Sequence, residues 1–123
     1  MKRKGVEIID LNVKELIKDL NKALAAEGLA AYRYKYLSKV ASGLNSIHIA
    51  EEFEKMSEEE WKHMGAFMER IVQLDGEPIT NASDWVKHSY STYKDPPKDP
   101  YDLEKMIRDS LETEREAKSI RPK

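Results

Sequence analysis

Apolar residues recur at intervals of three and four along two long stretches of the chain. That spacing places one stripe on one face of an α-helix. In the first stretch the stripe is Val13, Leu16, Leu20, Leu24, Ala31 and Tyr34. Asn12 stands ahead of it as a side-chain cap, Glu15 takes the capping-box position, and Ser42-Gly43 closes it. This predicts a helix over 12–41. The second stripe, Ile49, Phe53, Met56, Phe67, Ile71 and Leu74, predicts a helix over 46–74 that stops at Asp75-Gly76. Each helix would run roughly 45 Å at about 1.5 Å per residue. The short connection forces them into an antiparallel hairpin. A third stripe, Leu103, Ile107 and Leu111, predicts a helix over 100–120. Pro100 suits its first position, and Pro122 ends the pattern.

Residues 77–99 follow another logic. Pro78, Pro96 and Pro97 prevent a long helix. Trp85, Tyr90 and Tyr93 make the segment too aromatic for a disordered linker. The prediction is a structured crossover strapped along the bundle, with one helical turn near Ser83 to His88. The fold expected is an all-α antiparallel helical bundle over 12–123, with three helices and a long Pro/aromatic crossover, behind an N-terminal arm 1–11. No internal repeat or low-complexity tract interrupts it.

At 123 residues this is one domain, and an oligomer would bury its core more comfortably than a lone chain. The 21 basic and 23 acidic residues leave a net charge of -2. That balance gives no electrostatic drive toward nucleic acid or an anionic membrane. Lys2, Arg3 and Lys4 read as a solvated end. The lack of cysteine excludes disulfides, zinc-thiolate sites and Fe–S clusters. With no apolar leader and no long apolar run, the expected compartment is the cytoplasm.

The stripes are interrupted by ionisable groups. The first seam reads Leu20, Leu24, Glu27, Ala31, Tyr34; the second Phe53, Met56, Glu60, His63, Phe67; the third Leu103, Ile107, Leu111, Glu114. A buried carboxylate without a partner costs several kcal/mol, and the cost falls if the carboxylates converge on a cation. Glu60 and His63, three apart, project from one helix face. Carboxylate plus imidazole suits Fe(II), Mn(II) or Zn(II) rather than Mg or Ca. A Glu from one helix with Glu-x-x-His from its neighbour is half of a bundle di-iron site. Carboxylates bridged by solvent are the competing reading. Tyr34, two turns from Glu27, either hydrogen-bonds a ligand carboxylate or packs in the core. His48 reads as a surface residue, and His88 as packed or hydrogen-bonded in the crossover. Trp61, Met64 and Met68 read as core or interface, and Glu51-Glu52 and Glu58-Glu59 as solvated.

The stretch from Leu20 to Glu27, followed by Tyr34, resembles the first helix of bacterioferritins. Glu59-Glu60-Trp61-Lys62-His63 and the run from Arg70 to Pro78 resemble their second helix and its exit. The run from Pro96 to Met106, with Leu111 to Arg115, is similar to the crossover and third helix of Dps-like relatives. The resemblance, over Asn12 to Glu116, implies a ferritin-like bundle in which Glu27, Glu60, His63 and Glu114 bind iron, with manganese or zinc as substitutes. It implies Fe(II) oxidation by dioxygen or peroxide, in iron storage or oxidative defence. Trp61 stands where haem-binding bacterioferritins carry Met, so no haem is expected. The family's fourth helix, with a second Glu-x-x-His, has no counterpart before Lys123. The chain therefore reads as truncated, and a homo-oligomer, at least a dimer, is expected to complete the bundle. Either two hairpins pair about a two-fold axis, pooling two copies of Glu27, Glu60 and His63 and leaving Glu114 peripheral, or Glu114 faces Glu27 and Glu60. The alternative to iron chemistry is a metal-free helical interaction protein.

Overall fold

In the computed structural model, residues 4–120 are described, with side chains from 12 to 116. Two long helices, α1 (Lys4–Val40) and α2 (Ser46–Gln73), form the predicted hairpin. Gly43 turns the chain at φ 99 and Asn45 follows at φ 67, left-handed conformations that Gly and Asn adopt at least cost. Helix α1 starts at Lys4 rather than at Asn12, so Asn12 caps nothing. Upstream, Val6 and Ile9 prolong the three-and-four spacing that leads into Val13, and the helix continues through the expected arm.

The hairpin seam buries two clusters. Leu24, Met64 and Ile71 form one, backed by Ile17, Leu20 and Phe67. Tyr34, Leu37, Phe53 and Met106 form the other. Each fully buried side chain of this size contributes about 1.5–3 kcal/mol. Leu16, predicted to be in the core, is 40% exposed, and its neighbour Ile17, on the adjacent face of the helix, packs against the first cluster instead.

The crossover is strapped down as the aromatics suggested. Asn21 grips its start: its Nδ2 donates to the Glu77 carbonyl, and its Oδ1 accepts from the Ile79 N–H, both at 3.0 Å. A 3₁₀ turn, Ala82–Asp84, then leads into α3 (Trp85–His88), the one helical turn expected there. Trp85 lies over Gly28 so closely that a Cβ there would meet its ring at 2.8 Å. His88 is exposed rather than packed.

The last helix, α4 (Leu103–Ile120), begins later than Pro100. Asp102 caps it by accepting from the Lys105 N–H at 3.1 Å. Pro100 belongs to the preceding turn, where its carbonyl accepts from the Ser42 N–H at 2.9 Å. Of the expected apolar seam of this helix, Leu103 packs against the Tyr34 cluster, but the rest turns outward. Met106, Asp109 and Ser110 are buried, while Ile107 is 42% and Leu111 52% exposed. Arg33 and the Tyr34–Phe53 pair hold the Met106–Ser110 face inward. The Pro122 stop lies outside the described residues. Among those described, no helix is long and apolar enough to cross a membrane.

Candidate metal centre

Glu27 occupies the mid-point of α1, between Leu24 and Tyr34, and is 2% exposed. Its neighbours Ala26, Ala30 and Ala31 keep that stretch of helix slim, and the facing helix approaches closely enough for Ser57 Oγ to donate to the Ala31 carbonyl at 2.7 Å. On α2, Glu60 and His63 point back at the same place. His63 Nδ1 lies 3.7 Å from Glu27 Oε2 and 4.0 Å from Glu60 Oε2. One donor atom from each of the three falls within 4.8 Å of the others. Separations of this kind are too long for strong hydrogen bonds. Donors sharing an ion at about 2.1 Å lie no more than about 4.2 Å apart, and both His63 distances satisfy that bound.

Glu114 of α4 lies beside this group, outside the three donors that share one point. It lines, with Glu27 and Glu60, a cavity of about 20 Å³ closed by Ala30, Tyr90 and Thr113. That is room for a single water-sized occupant. The Tyr34 hydroxyl donates to Glu114 Oε1 at 2.6 Å. Burial, and after it this bond to a carboxylate, pushes the phenol well above its ordinary range, so it remains a protonated donor. Of the two roles open to Tyr34, the structure combines both: core packing by the ring and a hydrogen bond by the hydroxyl. Within the single chain, Glu114 lines the same small cavity as Glu27 and Glu60, the second of the two arrangements the sequence left open.

Three of the four sequence-predicted donors, Glu27, Glu60 and His63, gather around one point with unequal exposure, and Glu114 lines the adjoining cavity. The Glu27 side chain is 3% exposed and that of Glu60 15%, whereas that of His63 is 54%. The centre is closed on the α1 side and open beside His63. His48, Glu51, Glu52, Glu58 and Glu59 lie on the surface as expected. Met64 is buried, but Trp61 is 60% exposed and lies on the flank facing away from the donors.

Arg33 escaped the sequence reading. It is 3% exposed, its Nε donates to the Lys94 carbonyl and its Nη1 to Ser110 Oγ, each at 2.9 Å. These bonds tie the crossover and α4 to α1 and set the height at which Glu114 meets Tyr34. Nothing in the spacing marks it, since it lies off the apolar stripe of its own helix.

A carboxylate-rich set with one imidazole fits a first-row divalent ion such as Fe(II). No curated protein matches the chain. A solved structure similar to it is a dodecameric thioferritin, the bacterioferritin-related protein from Bacteroides fragilis, with 32% identity and a TM-score of 0.80. The match covers 85% of this chain and 61% of the other, so the chain spans less than two thirds of that protein's length. The family model described as a ferritin-like domain matches residues 17–120. With its helical hairpin, strapped crossover and gathered Glu/His donors, the chain belongs to the ferritin-like domain family.

Proposed function

We propose that this protein binds Fe(II) through Glu27, Glu60, His63 and Glu114 and promotes its oxidation by dioxygen or peroxide, in iron storage or oxidative defence. The observation that carries the reading is the convergence of Glu27, Glu60 and His63, from two helices, on a space with donor atoms within 4.8 Å. Buried carboxylates repel one another and lose hydration. A divalent cation offsets both costs, which gives the cluster a reason to exist in the core.

Iron is here the substrate. Anionic oxygen donors favour Fe(III) over Fe(II), so the ligand set lowers the cost of giving an electron to the oxidant. The side chains hold and orient the ion; none acts as a nucleophile. Tyr34 fixes the Glu114 carboxylate by donating to it. Mn(II) or Zn(II) fits the same donors. Haem is not part of this reading, given Trp61 beside Glu60. The similar protein from Bacteroides fragilis is described as dodecameric, which supports a homo-oligomer here as well.

Anaerobic Fe(II) titration followed by exposure to air tests the proposal. The wild-type chain is expected to bind and oxidise Fe(II), and Glu27→Ala to weaken binding by about 100-fold. No binding by the wild type, or unchanged binding by Glu27→Ala, rejects it and leaves the metal-free interaction protein as the reading.

A further inference from the structure

We infer that Tyr90 of the crossover is an iron ligand, one that holds the oxidised ion, Fe(III), through its phenolate oxygen. This rests on the proposed iron site and extends it. Tyr90 lines the cavity of about 20 Å³ together with Glu27, Glu60 and Glu114, and is the aromatic member of that wall. The cavity adjoins the point shared by Glu27, Glu60 and His63 but differs from it in chemistry. His63 does not line it, and the side-chain donors that do all offer oxygen. Carboxylates with an imidazole suit Fe(II). Anionic oxygens alone suit the smaller, more highly charged Fe(III) better.

Hydroxyls stand in this wall on Tyr90, Ser91 and Thr113. The Thr113 hydroxyl donates to the Asp109 carbonyl at 3.0 Å, one turn back on its own helix. Ser91 turns to its own segment, its Oγ 3.4 Å from Ser89 Oγ. Both are aliphatic alcohols, and a phenol gives up its proton to a bound cation far more readily than they do. Phenolate is a known protein ligand of ferric iron. On binding, the phenol O–H bond breaks, an Fe–O bond forms and the proton leaves to solvent. The backbone around Tyr90 is held for this role. Ser89 Oγ donates to the Ser91 carbonyl at 2.8 Å and accepts from the Ser91 N–H at 3.1 Å, so one side chain closes a loop around Tyr90. Upstream, the Ser89 N–H donates to the Trp85 carbonyl at 2.9 Å, and Trp85 is set over Gly28 of α1. Downstream, the Thr92 N–H donates to Glu116 Oε1 of α4 at 3.2 Å, and Arg33 of α1 holds the Lys94 carbonyl. The crossover is thus pinned on both sides of Tyr90. A donor held in this way needs little further ordering when an ion arrives.

Absorption spectroscopy on the full chain tests the inference. Fe(II) is added without oxygen, and air is then admitted. The wild type is expected to develop a visible phenolate-to-iron charge-transfer band as Fe(III) forms, with tyrosine ring modes enhanced in its resonance Raman spectrum. Ga(III), a ferric stand-in without redox chemistry, is expected to give the ultraviolet difference spectrum of a tyrosinate. Tyr90→Phe is expected to lose both signals and to hold Fe(III) about 10-fold less tightly. Tyr93→Phe, further along the crossover, is expected to keep both signals. Far-UV circular dichroism establishes that each variant is folded. If Tyr90→Phe is not, Ser89→Ala decides instead: it keeps the phenol, unties its loop and is expected to lose most of the band, and an unchanged band overturns the inference. A wild type that binds and oxidises iron without the band overturns the inference and leaves the iron site standing. So does a band that survives Tyr90→Phe, or one that only Tyr34→Phe removes. A wild type that binds neither Fe(II) nor Ga(III) rejects the iron site and the inference with it.

Discussion

Tyr34 stacks on Phe53 with ring centroids 5.9 Å apart and reaches Glu114 with its hydroxyl at 2.6 Å. One side chain thus joins core packing to a donor of the candidate site. Tyr34→Phe keeps the stack and removes the donor. It is expected to destabilise the fold by about 1–3 kcal/mol, the usual cost of a lost hydrogen bond to a partly buried charged partner, measurable by urea unfolding. Fe(II) affinity is expected to fall by about 10-fold, since Glu114 loses the group that orients it; unchanged affinity would make Tyr34 a packing residue only. Glu27, Glu60 and His63 were legible in the sequence because charges on an apolar stripe are costly and therefore informative. The bond from Tyr34 was legible only as one of two options, since it depends on where a different helix sets Glu114. Arg33 was not legible at all: its burial comes from the crossover and α4 closing over it, not from the pattern of α1.

At the level of elements, the hairpin, the strapped crossover and the presence of the last helix could be read directly, while the full buried face of that helix could not. Helices α1 and α2 have long stripes whose period fixes the buried face. In α4 the stripe was right at Leu103, which packs against the Tyr34 cluster, but not at Ile107 and Leu111, which are exposed while Met106 and Ser110 turn inward. The determinant is polar and distant in sequence: Arg33 Nη1 donates to Ser110 Oγ and its Nε to the Lys94 carbonyl. Local periodicity has no access to such a contact. Start signals misled for a similar reason. Asn12 and Pro100 have the right local chemistry, yet the helix continues past one, and Asp102 caps in place of the other. If Arg33 sets the rotation of α4, then Arg33→Met should loosen that helix selectively. The expected loss is about 2–4 kcal/mol, from two charge-assisted bonds, since Ser110 Oγ keeps its bond to the Met106 carbonyl. Hydrogen exchange should accelerate across 103–116 while the centre of α2 remains protected. Uniform acceleration in both helices would instead mean that Arg33 contributes only to global stability.

For the whole molecule, the candidate centre lies where three helices meet, with Glu27 on α1, Glu60 and His63 on α2, and Glu114 on α4. An ion held there would cross-brace elements otherwise joined by two apolar clusters and a few polar pins. Unfolding scatters these donors, so the ion binds the folded chain in preference and raises its stability by mass action. At a free metal concentration of about 100 times the dissociation constant the gain is about 2.7 kcal/mol. For a domain of this size that corresponds to a rise of about 8–12 °C in melting temperature. Fe(II) under anaerobic conditions, Mn(II) and Zn(II) are each expected to produce such a shift in the wild type. Glu27→Ala is expected to abolish most of it, because the most deeply buried donor is gone. The same variant relieves carboxylate repulsion in the metal-free protein, so its own melting temperature should equal or exceed that of the metal-free wild type. That pair of signs, higher without metal and unresponsive to it, separates a metal centre from carboxylates that merely line a solvated gap. A wild type whose melting temperature ignores all three ions would make the cluster structural.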